Sequence, residues 1–323
     1  MWSYDLIKES IECYINSSHD CEIMKVLMSP INYLEKLGEA QKIDINNLYT
    51  MNFANLLSNL TSVTPDLLYD NLLSSNLQKS FIKTSDLLYD YLVHIQNILF
   101  QSYISYYDVN NKMPQKLYRS VSAKELEYLT KSRKIDTLWS TTSTLDSVIG
   151  YTMEVTNHEW IPKEHFIIEL TTKDKIPFVD VETCVEMGFE PNEFILVPCF
   201  TISNFKLVKE GAINFFGFYN ADTIPIYSAE IQNIYDVQTI DSVSYNDIVE
   251  QFNKISVDIG KYGDMIEAYL NGNDCINLLH YHNYRLWAKN LQKLINMLQI
   301  YISEHAKSIV AGADLSKIKM LKR

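Results

Sequence analysis

Arg119, Ser140 and Glu193 are polar residues set in, or at the head of, short apolar runs with the length and composition of strands. Arg119 lies in Lys116-Leu117-Tyr118-Arg119-Ser120-Val121, and Ser140 in Thr137-Leu138-Trp139-Ser140-Thr141-Thr142-Ser143. Glu193 opens Phe194-Ile195-Leu196-Val197, an unbroken apolar run that Pro198 stops. A carboxylate entering a buried strand must meet a partner or a cleft, because burying it alone is costly. A guanidinium offers a planar fork of donors, a hydroxyl can orient a carboxylate, and a carboxylate steadies positive charge as it develops. Alone, each residue is ordinary strand chemistry. Their order and shared strand context make them one candidate site.

The elements that must position them follow from the apolar spacing. Residues 1 to about 110 read as helical, with Met24, Val26, Leu27, Ile31 and Leu34 on one face, Pro30 a break and Gly38 a stop. The string DLLYD occurs at 66–70 and 86–90, each time behind a capping hydroxyl, Thr64 and Thr84, so each copy predicts a helix start. Their flanks differ, which favours shared capping chemistry over a repeat. The second copy continues through Leu92, Ile95, Leu99 and Ile104 as the longest helix of this part. After the turn-rich link 108–114 the pattern shortens to strands at 116–121, 137–143, 165–170, 177–181, 194–197 and 200–208. Helical turns are expected at 123–131 and at 145–153, the latter capped by Thr144, while 214–219 and 224–234 have no clear period. Helices return at 245–255, 263–270 and 286–301. The expected organisation is a helical lobe over 1–110, a strand-bearing domain over 111–240 and a C-terminal helical region over 241–323, an α+β chain.

Composition bounds the function. The 323 residues are 47% apolar and 21% charged, enough for a sizeable core, and a net charge of -12 argues against nucleic acid and anionic membrane surfaces as partners. Arginine is scarce, at Arg119, Arg133, Arg285 and Arg323. Five cysteines, without a CxxC pair, support neither a disulfide scaffold nor a zinc site, so a reduced, cytosolic place of action is expected. Cys184 and Cys199 flank the Glu193 strand without a neighbouring His and read as packing residues; His280-Tyr281-His282 reads as structural, and no metal is expected. Asp5, Glu9 and Glu12 interrupt the region that a secretory signal would keep apolar, and no run of about 20 apolar residues occurs to span a membrane. Neither GxGxxG nor GxxxxGK[ST] is present, which removes the Rossmann and P-loop routes to nucleotides.

The order Tyr118-Arg119, then Trp139-Ser140-Thr141-Thr142, then Asn192-Glu193-Phe194-Ile195-Leu196-Val197-Pro198 resembles the arginine-serine-glutamate signature of the mono-ADP-ribosyltransferases, over about residues 115 to 210. The resemblance implies a core of two small packed β-sheets, preceded by a helical lobe, with NAD bound as substrate in the cleft between the sheets. It implies cleavage of the nicotinamide–ribose bond and transfer of ADP-ribose to a protein side chain. Glu193 would stabilise the oxocarbenium-like transition state, Ser140 would orient Glu193, and Arg119 would grip the pyrophosphate. Ser120, Thr141 and Thr142 would complete the NAD contacts, with Tyr151 or Phe178 against the nicotinamide or ribose.

In family members that modify arginine, a Glu or Gln stands two positions before the catalytic glutamate. Here that position is Pro191, with Glu190 one residue further away. Either a bulge brings Glu190 into place, or the acceptor is not arginine. Serine, threonine, asparagine, a non-protein acceptor and water stay open, so an NAD glycohydrolase is the nearest alternative. A non-catalytic helical interaction protein is the other. The helical parts are expected to select a protein acceptor with a basic or mixed face. The bias to lysine, isoleucine, asparagine and tyrosine hints at an AT-rich genome, and with it an effector or toxin delivered by a pathogen to a host cytosol.

Overall fold

A computed structural model of the chain describes residues 4–16, 18–30, 77–135, 137–150, 153–156, 159–162, 165–172, 174–185, 192–198, 200–212, 223–233, 242–256, 277–312 and 319–321. Contacts divide it into two compact units, residues 101–237, and residues 1–100 with 238–323. The helices are α1 (Tyr4–Asn16), α2 (Ser18–Met28), α3 (Leu77–Tyr107), α4 (Ala123–Ser132), α5 (Leu145–Gly150), α6 (Val181–Cys184), α7 (residues 245–256) and α8 (Asn277–Val310).

The expected mixture of α and β is present, and the described strands belong to the unit 101–237. β1 (Lys116–Ser122), β2 (Lys134–Ile135), β3 (Trp139–Thr142), β6 (His165–Thr172), β7 (Phe178–Asp180), β8 (Glu193–Leu196), β9 (Phe200–Ala212) and β10 (Thr223–Asn233) form one sheet. Its order is β2-β9-β10-β6-β1-β3-β8-β7, while β4 (Met153–Thr156) and β5 (Glu159–Pro162) make a separate hairpin. The β6–β10 pair is parallel and the other pairs are antiparallel.

A flat sheet would hold β3 and β9, four places apart in this order, about 19 Å from each other. Yet the rings of Trp139 on β3 and Phe200 on β9 have centroids 6.3 Å apart. The sheet therefore folds over on itself, and one buried cluster takes Leu117, Val121, Ile168 and Ile202 from one end with Phe178, Phe194 and Leu196 from the other. Where two small packed sheets are expected, the described strands form one continuous open sheet, bent so that both halves contribute to that cluster, beside the β4–β5 hairpin. A weak point in the pairing lies between β1 and β3, where Tyr118 opposite Thr142 is the registered step. On the other face, Val148 of α5 packs with Ile167, Ile224 and Ile226, and Tyr118 and Leu145 lie against them.

β10 has no legible period because it is buried on both faces: Ile224 and Ile226 serve the second cluster, and Ala229 and Ile231 the first. Pro225 and two register irregularities add to the disguise. The stretch 145–153 is helical only to Gly150, and Met153 opens β4. The second DLLYD copy does not start a helix either. α3 begins at Leu77 and runs through Thr84, since nothing between 77 and 84 is Gly or Pro and a capping residue inside a helix costs only a few tenths of a kcal/mol, about what continuation regains. The first copy and the 263–270 helix lie outside the described residues.

In the helical unit, α1 buries Ile7, Ile11 and Tyr14, and α3 buries Leu88, Leu92, Ile95 and Leu99, both at helical spacing. α1 is tied to α3 through Ser10, whose hydroxyl accepts from Asn97 Nδ2 at 2.9 Å and lies 3.0 Å from His94 Nδ1. Gln292 of α8 donates to the carbonyl of Met28 at the end of α2, and Gln251 of α7 donates to that of Asn290. Tyr91 donates to Asp20 across 2.5 Å. Burial, then the charge and hydrogen bond of Asp20, then Glu9, push the Cys13 thiol from 9.0 up to about 12. The raised value favours the neutral thiol in the folded state, so this stabilisation is complete below about pH 9 and is lost as pH rises towards about 12. In urea titrations, the midpoint of the wild-type protein is expected to fall more steeply over that interval than that of Cys13→Ala; parallel curves would contradict the assignment.

Candidate functional site

The site is built on the alternation of β3 and β8. Across this antiparallel pair Trp139 faces Leu196, Ser140 faces Ile195, Thr141 faces Phe194 and Thr142 faces Glu193. Trp139, Phe194 and Leu196 belong to the buried cluster, so Thr141 shares their face and Ser140, Thr142 and Glu193 share the opposite one. Glu193 thus lies directly across from Thr142 and diagonally from Ser140, a separation of about 7–8 Å between diagonal neighbours. Asn192 holds φ +77°, a left-handed turn that asparagine tolerates, and its carbonyl accepts from Ser143 N–H at 3.1 Å. That bend delivers Glu193 to the first position of β8.

Thr141 is corrected as an NAD contact. It is buried on the core face, and its hydroxyl donates to the carbonyl of Phe194 at 3.1 Å. Phe178 is likewise a core residue, fully buried against Phe194, and not a ring for nicotinamide. Thr142 accepts from Thr144 N–H at 3.3 Å, and the Thr144 hydroxyl bonds that of Ser147 at 2.7 Å, which ties the end of β3 to the first turn of α5. Ser120 alternates onto the face of Tyr118 and Thr142. Tyr151, Glu190 and Pro191 lie outside the described residues.

Arg119 is placed differently from its expected role. It stands between Leu117 and Val121, opposite the buried Ile168, so its side chain leaves β1 on the core face, away from that of Glu193. Its Nη1 donates to the carbonyl of Ser140 at 2.8 Å, its Nη2 to Glu125 Oε1 at 3.2 Å, and its guanidinium carbon lies 4.7 Å from the Trp139 ring centroid. Glu125 Oε1 also accepts from Trp139 Nε1 at 3.1 Å. The open bidentate fork expected for a pyrophosphate is therefore partly engaged within the protein. The contact with Ser140 is nonetheless informative. Past Tyr118 and Thr142 the two strands part, and the guanidinium fills the gap by bonding the carbonyl there.

Glu125 and Trp139 are the members of this site that sequence reasoning missed. Ser122-x-x-Glu125 has the spacing of a capping box, and Ser122 Oγ does accept from Glu125 N–H at 3.2 Å. The carboxylate, however, turns to Arg119 and Trp139, which no local pattern announces. Among the described residues no group of three His, Cys, Asp or Glu could hold a metal, and no helix is long and apolar enough to cross a membrane.

The chain matches no protein-family model and none of the curated proteins. The fold class rests on the mixed sheet, and the site on its own geometry.

The buried hydroxyl of Thr141 gives a test of the face assignment. Thr141→Val keeps the shape and leaves the Phe194 carbonyl short of a donor, so a stability loss of about 1 kcal/mol is expected in chemical denaturation. Unchanged stability would contradict the placement of the Thr141 hydroxyl on the core face.

Proposed function

We propose that the chain is an NAD-consuming mono-ADP-ribosyltransferase whose catalytic carboxylate is Glu193. The observation that supports it most is the position of Ser140. Its side chain shares a face with Glu193, and its carbonyl is held by Arg119 at the parting of β1 and β3. One serine thus ties together the three residue types that the signature requires, although they are 74 residues apart from first to last (193 − 119). Glu193, at the edge of an otherwise apolar strand, is half-buried, which strengthens its interaction with a developing positive charge relative to bulk water.

In this reading the nicotinamide ribose lies over the Ser140–Thr142–Glu193 face. Loss of nicotinamide leaves an oxocarbenium-like ribose carbon that the Glu193 carboxylate stabilises, and a nucleophile on a protein acceptor then takes the ADP-ribose. Thr142 lies directly across from Glu193, buried like its face neighbour Ile195, so the half-buried Ser120, Ser140 and Glu193 offer the polar atoms of that face. The acceptor, and action in a host cytosol as an effector, belong to the same proposal.

Glu193→Gln keeps the size of the side chain and removes its charge. Nicotinamide release from NAD is expected to fall at least about a hundredfold, with the thermal midpoint unchanged. Equal rates for variant and wild type would remove Glu193 from catalysis. Label from NAD appearing in lysate proteins distinguishes transfer from glycohydrolase action, which releases nicotinamide and labels nothing.

A further inference from the structure

The sheet itself separates the Arg119 guanidinium from a ligand on the Glu193 face. The side chain leaves β1 on the core face, is 15% exposed and keeps Nε buried, while Ser140 and Glu193 present theirs on the opposite face. Three contacts fix it: Nη1 on the Ser140 carbonyl at 2.8 Å, Nη2 on Glu125 Oε1 at 3.2 Å, and the guanidinium carbon 4.7 Å from the Trp139 ring centroid. Glu125 Oε1 also accepts from Trp139 Nε1 at 3.1 Å, so carboxylate, indole and guanidinium close a triangle. What this triangle reaches is the main chain of Ser140. Registered pairing of β3 with β1 is confined to Thr142 opposite Tyr118, and Arg119 supplies a donor to the carbonyl two residues further along. Ser140 thus sits between Ile195 of β8 and the guanidinium.

We propose that Glu125, together with Trp139, is a positioning residue for turnover: it holds the Arg119 fork, and the fork fixes the stretch of main chain from which the Ser140 hydroxyl serves Glu193. The inference rests on the ADP-ribosyltransferase reading given above and changes what Arg119 does in it. Arg119 acts on the rate through the backbone of Ser140 and makes no contact with the nucleotide. Ser140 and Glu193 act on the charge that develops as nicotinamide leaves, so a displaced Ser140 weakens the transition state more than the resting NAD complex. A misplacement of about 1 Å is enough to slow a reaction by as much as ~100-fold. Arginine suits position 119 because one side chain must bond a carbonyl, meet a carboxylate and lie over an indole at once. The ammonium of lysine has no planar fork and cannot serve all three.

The test measures steady-state nicotinamide release from NAD by the wild-type protein, Glu125→Ala, Glu125→Gln, Trp139→Phe and Arg119→Lys, each well below its thermal midpoint. Glu125→Ala and Arg119→Lys are expected to lower kcat about tenfold, while KM for NAD stays within about twofold. Glu125→Gln keeps an oxygen for Nη2 and for the indole, and is expected to retain at least about half of the wild-type kcat. Trp139→Phe keeps a ring under the guanidinium and deletes the indole donor; a loss of about threefold in kcat is expected, which gives a second reading should Arg119→Lys fold poorly. A raised KM at unchanged kcat in Arg119→Lys overturns the proposal, because it marks direct contact with the nucleotide, and leaves the NAD reading standing. Wild-type kcat in Glu125→Ala with a lowered thermal midpoint reduces the triangle to a structural role and overturns it as well, as does a Glu125→Gln variant as slow as Glu125→Ala. No nicotinamide release by the wild-type protein overturns the proposal and the NAD reading together.

Discussion

The hydrogen bond from Arg119 Nη1 to the carbonyl of Ser140 is the constraint on which the arrangement of the strand unit depends. β1 and β3 must part for the sheet to fold back on itself, and parting strands leave ladder groups unpaired inside a protein. A long cationic side chain rooted on β1 meets that need. Its charge is balanced by Glu125 at the first turn of α4 and by the face of Trp139 beneath it. With side-chain exposures of 15% and 33%, this pair is shielded enough to outweigh an open surface contact. Loss of Arg119 would therefore unsettle both the parting and the serine beyond it.

The fold-back has a second consequence. It gives the unit two faces with different make-up: that of Trp139, Phe194 and Phe200 lines the core, and the opposite one carries Ser140, Thr142 and Glu193 around the buried Ile195, beside α5. Strand alternation keeps the two sets apart, because a one-residue slip would drive Glu193 into the cluster and Phe194 out of it. Asn192 and Pro198 bracket β8, so both ends of the Glu193 strand are punctuated. Thr141, interleaved with the candidate site residues in sequence, belongs to the core for the same reason.

Much of this was legible in the chain. The runs that became β1, β3, β6, β7, β8 and β9 show their apolar character openly, and the helix after β1 shows a Ser-x-x-Glu start. β10 was not legible, because burial on both faces and two irregular steps erase the period of two. The long helix α3 hid its start, since capping chemistry at Thr84 is a local preference that a continuing helix overrides. At the site, the residue types and their strands could be read, but their faces could not. Counting alternately from Leu117 puts Arg119 with the core, yet only the pairing of β1 with β6 and β3 shows which side that is. Glu125 and Trp139 needed three dimensions altogether, because their shared contact joins a helix to a strand 14 positions away.

The most direct test of the central claim is a crystal structure of Glu193→Gln with NAD bound. The account predicts the nicotinamide ribose against the face that carries Ser140, Thr142 and position 193. A nucleotide seated away from these residues, or on the side of Thr141 and Phe194, would contradict it.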